Sequence, residues 1–390
     1  MPKTLLLVLL ALGSLADAGP ADRSYVEQAL SRACEWLWSR QGEDGGWHSE
    51  TYGLLKSGQA YTPFILHALL SVPVEIHPRP AGGIERALGF LRAKVNDEGA
   101  IGLADPDLLE YPIYATAYAL RCIVRTGEDR DEILRKRMKA YLLAQQFTPS
   151  CGFDAQSLVY GAWGFGGKRS PGSPGHVDLA HTRRVLQALR EAGVTDPVVY
   201  DRAQAFLRLL QRHPREERPQ PSTTPGASGK GGKAPYDGGF YFSPVVLAAN
   251  KGREEPGRDG ERATFRSYAT ATCDGLLALR AAGVPRDDER VSRALRWLEE
   301  HPRWETPEGI PAEHPEPWGD ALHFYHLAVR SEVYAEMGGP AGWKEKAGRI
   351  LAPLQLPDGS YVNKASHLMK EDDPLLATTL AVVAMLSARP

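Results

Sequence analysis

The sequence predicts an all-α fold of six helix pairs, arranged as an inner and an outer ring. A loop signal rich in glycine and aromatic residues recurs six times at intervals of tens of residues, which indicates a repeat architecture. Helical periodicity brackets each copy, and no run typical of a strand is visible. The helices before the loops are amphipathic, whereas several of those after them are apolar on nearly every side. The second set is therefore expected to form the inner ring.

The first and clearest copy of the loop signal is QGEDGGW, residues 41–47. Each copy follows an amphipathic helix and precedes a more apolar one, so each marks the turn of one helix pair. The five weaker copies are VNDEGAIG from Val95, QQFTPSCGF from Gln145, YDGGFYF from Tyr236, WETPEGIP from Trp304 and LQLPDGSY from Leu354.

A threonine near the start of most inner helices sets a common register. In four helices it precedes an alanine by six residues, and in the second helix it precedes a cysteine: Thr62, Thr182, Thr272 and Thr378, with Thr116 before Cys122. Residues nearly two turns apart lie close to the same helix face, which favours close packing between helices. The fifth helix breaks the pattern with Tyr325.

The first residues look like a secretory signal. Lys3 precedes a short apolar run, and the small residues ADA end at Ala18. The run is too short to span a bilayer, and no other apolar run approaches that length. We expect residues 1–18 to be a signal peptide and the protein to be exported to the periplasm or the extracellular space.

The remaining chain, residues 19–390, is expected to form a single domain because no linker separates its halves. Two segments rich in proline, glycine and charge, 213–235 and 250–262, are expected to be flexible insertions. A formal net charge of −2 gives no basic surface for nucleic acid. Four cysteines, none of them in a CxxC motif, are expected to be mostly buried and free: Cys34, Cys122, Cys151 and Cys273.

Several of these motifs resemble a known family. QGEDGGW resembles the Gln-to-Trp repeat of squalene–hopene cyclases, and YDGGFYFSP followed by SYATATCDGLLAL resembles the repeat shared by terpenoid cyclases and protein prenyltransferase β subunits. DDPLLATTLAVVAML is similar to the last inner helix of that family. The resemblance spans about 25–387. It implies an α/α toroid of six inner and six outer helices, in which the Gln-to-Trp loops staple helix ends and the active centre is the cavity inside the ring.

The cyclase resemblance does not extend to the catalytic acid. Class II cyclases protonate an isoprenoid with an aspartate of a DxDDT pattern, and this chain has DLAHT when aligned on Thr182. Asp178 matches the first aspartate, but Ala180 replaces the proton donor. Because a methyl group cannot deliver a proton, we do not expect squalene-type cyclisation.

The prenyltransferase resemblance implies a zinc site that this chain matches only in part. DLAHT matches the D-x-x-H-T stretch of that family, which places a zinc-ligating histidine at His181. The only Cys–Asp pair, Cys273 and Asp274, is adjacent, in reversed order, and follows the histidine instead of preceding it. Zinc on His181 and Cys273 is therefore an alternative that we do not favour over local hydrogen bonding and packing. Asp178, His181 and Asp274 are the candidate catalytic residues.

Further candidates for ligand binding lie on a helix and in a loop. His323 and His326 share one face of the fifth inner helix, where they are either ligand contacts or satisfied core histidines. The loop YGAWGFGG precedes DLAHT, and its Tyr160, Trp163 and Phe165 either line the cavity mouth or pack on their own repeat.

Three functions fit these observations. The leading one is an exported toroid whose central cavity binds an apolar isoprenoid- or lipid-like molecule, with or without transforming it. The alternative is a non-catalytic toroid that binds a peptide or protein partner. A second alternative is a carbohydrate-active enzyme, which needs paired carboxylates across the cavity. The sequence leaves open whether the protein is an enzyme, which cofactor it uses and its oligomeric state.

Overall fold

A computed structural model describes residues 21–103, 109–167, 172–221, 236–255 and 264–389. The expected signal peptide lies outside these residues. The described chain contains thirteen α-helices and one small antiparallel sheet.

Six helices form the inner ring, and each packs on the next: α2 (Tyr61–Ser71), α4 (Pro112–Thr126), α6 (Leu179–Glu191), α8 (Ala269–Ala281), α11 (His323–Met337) and α13 (Pro374–Ser387). Helix α13 returns to pack on α2, so the ring is closed. The toroid predicted from the repeats and from the family resemblance is confirmed.

Six amphipathic helices form the outer ring: α1 (Ala21–Ser39), α3 (Gly83–Lys94), α5 (Glu132–Ala144), α7 (Pro197–Leu210), α9 (Glu289–Glu300) and α12 (Trp343–Leu351). In α9, for example, Val291, Ala294, Trp297 and Leu298 are buried on the side that packs on α8. This one-sided burial is what the 3.6-residue periodicity predicts.

Two local details differ from the expected pattern of twelve uninterrupted helices. The fifth inner helix is preceded by a separate turn, α10 (Trp318–Ala321), and α11 begins after Leu322. The two strands are only two residues each, β1 (Glu254–Glu255) and β2 (Thr264–Phe265), and they pair antiparallel. The β content is therefore negligible, as expected.

Four glutamines staple neighbouring repeats together. Each donates its side-chain amide to a glycine carbonyl of its own loop and to a carbonyl of the next outer helix. The partners are Gly45 and Gly83 for Gln41, Gly161 and Val199 for Gln146, Gly238 and Arg290 for Gln211, and Gly359 and Ala29 for Gln355. The stapling role implied by the Gln-to-Trp resemblance is therefore present in four of the six repeats.

The recurring threonines hold the same loops from the other side. Each hydroxyl oxygen accepts a backbone N–H from the loop that precedes its helix, at 2.9–3.1 Å. The donors are Trp47 for Thr62, Ile101 for Thr116, Trp163 for Thr182, Phe240 for Thr272 and Tyr361 for Thr378. The register predicted from spacing thus has a second physical basis, because the threonine also satisfies a buried loop donor.

The described parts of the two expected insertions, residues 213–221 and 250–255, are held against the rest of the protein by buried side chains. Arg218 pairs with Glu216 at 2.7 Å, both side chains are 3 % exposed, and Arg218 also donates to the carbonyl of Ser157. Asn250 and Lys251 are buried. Residues 222–235 and 256–262 lie outside the described chain. Among the described helices, none combines the length and apolarity needed to cross a bilayer.

Candidate functional site

The start of α6 joins an aspartate to two histidines. Asp178 is the N-cap of α6, where its Oδ1 accepts the backbone N–H of His181 at 2.9 Å. Its Oδ2 lies 2.8 Å from His176 Nε2 and 2.8 Å from His181 Nδ1. The two predicted residues Asp178 and His181 are therefore in contact, as their three-residue spacing predicts. We call His176, Asp178 and His181 the mouth cluster.

The mouth cluster keeps Asp178 ionised. Burial alone would raise the pKa of Asp178, but the charge of His181 and hydrogen bonds from both imidazoles hold that pKa well below its usual range. The hydrogen bond to Asp178 in turn raises the pKa of His176. His176 is the exposed member, with 40 % of its side chain accessible, against 6 % for His181.

Aromatic rings surround the buried imidazole. The ring of Tyr114 lies 4.8 Å from that of His181 in an edge-on arrangement, and Phe165 lies 5.8 Å away. Phe165 also contacts Tyr111. Within the described chain, His181 Nε2 is buried without a hydrogen-bond partner. A buried imidazole nitrogen left free among aromatic rings is available to a metal or to a polar group of a ligand.

Lys251 lies beside the mouth cluster and was not among the predicted site residues. Its ammonium donates to the carbonyl of Ala249 and lies over the rings of Trp318 (4.7 Å) and Phe242 (5.3 Å). Burial lowers the pKa of Lys251 to about 8, although the charge of Asp178 opposes that shift. Lys251 could not be recognised from the sequence, because it lies in the polar segment 250–262, whose composition predicts a flexible insertion.

The structure does not assemble the zinc set that the prenyltransferase resemblance implies. Among the described residues, the group that brings three metal-ligating side chains together is the mouth cluster, whose ligand atoms lie within 4.8 Å of one another. Cys273 is not part of it. Neighbouring positions on a helix point about 100° apart, so when Asp274 faces the ring axis Cys273 is turned into the hydrophobic core. Burial raises the pKa of its free thiol to about 12.

Each of the two histidines of the fifth inner helix contacts a backbone carbonyl of the preceding loop. His326 Nε2 lies 3.1 Å from the carbonyl oxygen of Arg303, and His323 Nδ1 lies 3.1 Å from that of Glu305. Both imidazoles therefore contact the preceding loop through one ring nitrogen. The other nitrogen, His326 Nδ1 or His323 Nε2, is buried without a hydrogen-bond partner within the described chain.

The three aromatic residues of the YGAWGFGG loop lie in different environments. Trp163 is fully buried, and its indole donates to the carbonyl of Leu142, so it packs on its own repeat. Phe165 borders the mouth cluster through ring contacts with His176 and His181. Tyr160 is half-buried, and its backbone N–H donates to the carbonyl of Ser157.

Asp274 belongs to an ion-pair network on the ring axis. Arg183 donates to Asp274 at 2.8 Å and to Glu332 at 2.6 Å, and the hydroxyl of Tyr325 donates to Asp274. Burial raises the pKa of Asp274, whereas the nearby arginines oppose that shift. Because this carboxylate is enclosed and paired on several sides, it is placed to hold the inner helices together.

A cavity of about 170 Å³ opens on the ring axis beside this network. It lies between α2, α4, α6, α11 and α13 and is lined mainly by residues of their carboxyl-terminal halves. We call it the ring cavity. Its apolar wall consists of Phe64, Ala68, Tyr118, Ala328, Leu380, Val383 and Leu386. Its polar wall consists of His67, Ser71, Arg121, Arg125, Arg184, Glu332 and Ser387.

Solved structures with the same fold include a terpene cyclase, a mannanase and a protein from Actinoplanes. The type II terpene cyclase MstE from Scytonema, in complex with its substrate geranylgeranyl dihydroxybenzoate, superposes with a TM-score of 0.57 at 13% identity and covers 95% of this chain and 99% of that one. A protein from Actinoplanes gives a TM-score of 0.55 at 16% identity over 94% of this chain and 100% of the other. An α-1,6-mannanase of Salegentibacter, in complex with α-1,6-mannotriose, gives a TM-score of 0.51 at 10% identity and covers 93% of this chain and 98% of that one.

These similarities establish a terpenoid cyclase-like helical toroid and, at such low identity, the fold alone. No protein-family model matches the sequence, and no curated protein matches it.

Proposed function

We propose that this protein is an exported toroid of the terpenoid cyclase type that binds a short, partly apolar isoprenoid- or lipid-like molecule in the ring cavity. The observation that carries the proposal is the cavity itself, which combines an apolar wall with a few polar groups on the axis of the ring. Such a combination is typical of small-molecule sites. The fold shared with a terpene cyclase that was solved with a prenylated substrate supports the same class of ligand.

The size of the ring cavity limits the ligand. Drug-sized molecules occupy clefts of roughly 300–1,000 Å³, whereas an engineered cavity of about 150 Å³ binds benzene. At about 170 Å³ the ring cavity suits a molecule near the size of one five-carbon isoprenoid unit. A geranylgeranyl chain, as in the substrate of the Scytonema cyclase, is too long for it. Together with Ala180 in place of the proton donor, this supports a function other than terpene cyclisation.

The other two functions have less support. A peptide needs a longer groove than the ring cavity provides. Glycoside hydrolysis needs two carboxylates free to act on a sugar, but Asp178 is bonded to two histidines and Asp274 to Arg183 and Tyr325.

Calorimetric titration with prenyl alcohols of five, ten and fifteen carbons tests the proposal. We expect saturable binding of the five-carbon alcohol and a loss of affinity as the chain lengthens. Leu380→Trp, which fills the cavity, is expected to abolish binding, whereas Leu354→Trp at an exposed outer position is expected to leave it unchanged. Absence of binding by all three alcohols, or tighter binding of the longest one, contradicts the proposal.

The mouth cluster supports a second candidate function, a mononuclear transition-metal centre. Two imidazoles and one carboxylate with ligand atoms within 4.8 Å of one another suit Zn²⁺ with one coordination position left open. The Asp178 side chain is already oriented by the backbone N–H of His181. The ammonium of Lys251 disfavours a cation there, and its lowered pKa reduces that repulsion.

Metal content of the purified protein tests this second function. After incubation with zinc and dialysis, we expect about one zinc ion per chain in the unmodified protein and none in His176→Ala. His77→Ala, which removes a histidine that contacts Ser31 on the outer helix α1, is the control and is expected to retain the metal. Equal zinc in all three proteins, or none in any, contradicts a metal centre at the mouth.

A further inference from the structure

The polar wall of the ring cavity is dominated by arginines. Arg121, Arg125 and Arg184 line it from two adjacent inner helices, α4 and α6. Arg184 is only 4 % exposed, and its Nε has no hydrogen-bond partner within the described chain. Its Nη1 lies 3.8 Å from Glu332, too far for a direct hydrogen bond. The same Nη1 donates to Gln187 Oε1 at 3.3 Å, and the guanidinium lies over the ring of Tyr118, so the long contact with Glu332 is its one ion pair within the described chain.

Among the described residues, the charges around the ring cavity do not balance. Four arginines share three carboxylates through ion pairs of 2.6–3.8 Å. The arginines are Arg121, Arg125, Arg183 and Arg184, and the carboxylates are Glu191, Asp274 and Glu332. The carbonyl ends of the inner helices offset part of the excess, because helix carboxyl ends carry partial negative charge. One guanidinium still lacks a carboxylate of its own, and a buried cation without an anion is costly.

The other groups at the cavity do not supply the missing negative charge. Burial and the neighbouring Arg121 and Arg125 lower the pKa of His67 well below its usual range, so His67 adds no further cation. Glu332 is already shared between Arg183 and Arg184. Arg125 also donates to the hydroxyl of Ser71, which is neutral.

We propose that the ring cavity binds a small amphiphilic anion, whose carboxylate or phosphate pairs with Arg184 and Arg125 while its apolar part contacts the side chains of Phe64, Leu380 and Val383. This inference rests on the proposed ligand-binding function and adds the charge of the ligand. Guanidinium groups recognise both oxyanions, because their planar N–H donors match two oxygens at once. The apolar side chains that also line the cavity favour an organic anion over inorganic phosphate.

Four matched probes separate charge from shape in a calorimetric titration in chloride-free buffer: benzoate, benzyl phosphate, benzyl alcohol and benzylamine. We expect benzoate or benzyl phosphate to bind at least tenfold more tightly than benzyl alcohol, and benzylamine not to bind. The stronger of the two anions identifies the acidic group. If benzyl alcohol binds as tightly as both anions, the anion site is refuted while the ligand-binding function stands. If no probe binds, both are refuted.

Substitutions locate the site. Arg184→Gln is expected to weaken anion binding about 30-fold or more, because it removes the buried positive charge that pairs with the bound anion. Arg125→Gln, whose side chain is 33 % exposed, is the variant less prone to disturb folding and is expected to act in the same direction. Arg293→Gln on the outer helix α9 is the control. Equal anion affinity in Arg125→Gln, Arg293→Gln and the unmodified protein overturns the proposal.

Discussion

The side-chain amide of Gln355, in the last repeat, donates a hydrogen bond of 2.8 Å to the carbonyl of Ala29 in the first outer helix. The same amide donates to Gly359 in its own loop. The bond to Ala29 spans 326 positions of the chain and closes the outer ring, just as the contact of α13 with α2 closes the inner one. Ring closure is therefore secured in both layers.

We expect Gln355→Met to lower the free energy of unfolding by about 1–3 kcal/mol, because it removes both hydrogen bonds that the amide donates to partly buried carbonyls. Denaturant unfolding measures the effect. Gln156→Met changes an exposed glutamine and is the control, with an expected change within about 0.5 kcal/mol. Equal stability of the two variants would show that the staple contributes nothing.

Gly161 is expected to tolerate no side chain. Its φ is +82°, and a Cβ there would lie 1.9 Å from the carbonyl oxygen of Arg202 on the next outer helix. Gly193 has a similar φ of +73° but open space around it. Gly193→Ala is therefore expected to cost only the strain of a left-handed backbone, about 1–2 kcal/mol. Gly161→Ala is expected to cost clearly more in the same unfolding experiment. Similar losses in both variants would refute the close approach.

Stability is expected to fall as pH rises toward neutrality because of Glu371. This buried carboxylate accepts the backbone N–H groups of Phe324 and Tyr325 at the start of α11. Burial raises its pKa from the usual 4.5 to about 7. Below pH 4.5 the group is protonated in both states. Between pH 4.5 and about 7, Glu371 loses its proton in the unfolded chain but keeps it in the folded chain. The free energy of unfolding therefore falls by up to roughly 1 kcal/mol for each unit by which the pH rises.

Glu371→Gln is the variant that isolates this effect, because glutamine keeps an acceptor oxygen but does not titrate. The slope of the free energy of unfolding against pH, measured by denaturation between pH 5 and 7, is expected to be less negative in the variant. Parallel profiles for the variant and the unmodified protein would assign the pH dependence to other groups.

The toroid could be predicted from the sequence because repeats and helical periodicity are local signals. The contact between Asp178 and His181 was predictable for the same reason, since both lie in one turn. His176 and Lys251 were missed because they reach the mouth cluster from irregular segments, where no periodicity applies. Asp274 was recognised, but its partners Arg183 and Tyr325 lie on other helices, and a single sequence does not reveal such contacts.

A central cavity was predicted, but the arginines that line it were not. Two consecutive arginines, Arg183 and Arg184, stand in a helix that was assigned to the buried ring. This conflict between charge and burial was a visible signal of a polar axis. The polarity of the cavity lining could not be predicted from the sequence, and the structure combines arginines with apolar side chains there.

The central claim, that the ring cavity is a ligand site, is tested most directly by methyl NMR during titration with a five-carbon prenyl alcohol. The methyl groups of Leu380, Val383 and Leu386 line the cavity, whereas those of Leu30 and Leu207 are buried in the outer helices. We predict saturable shifts of the first three and unchanged signals from the other two. Unchanged signals from Leu380, Val383 and Leu386 at a saturating concentration of the alcohol would contradict the claim.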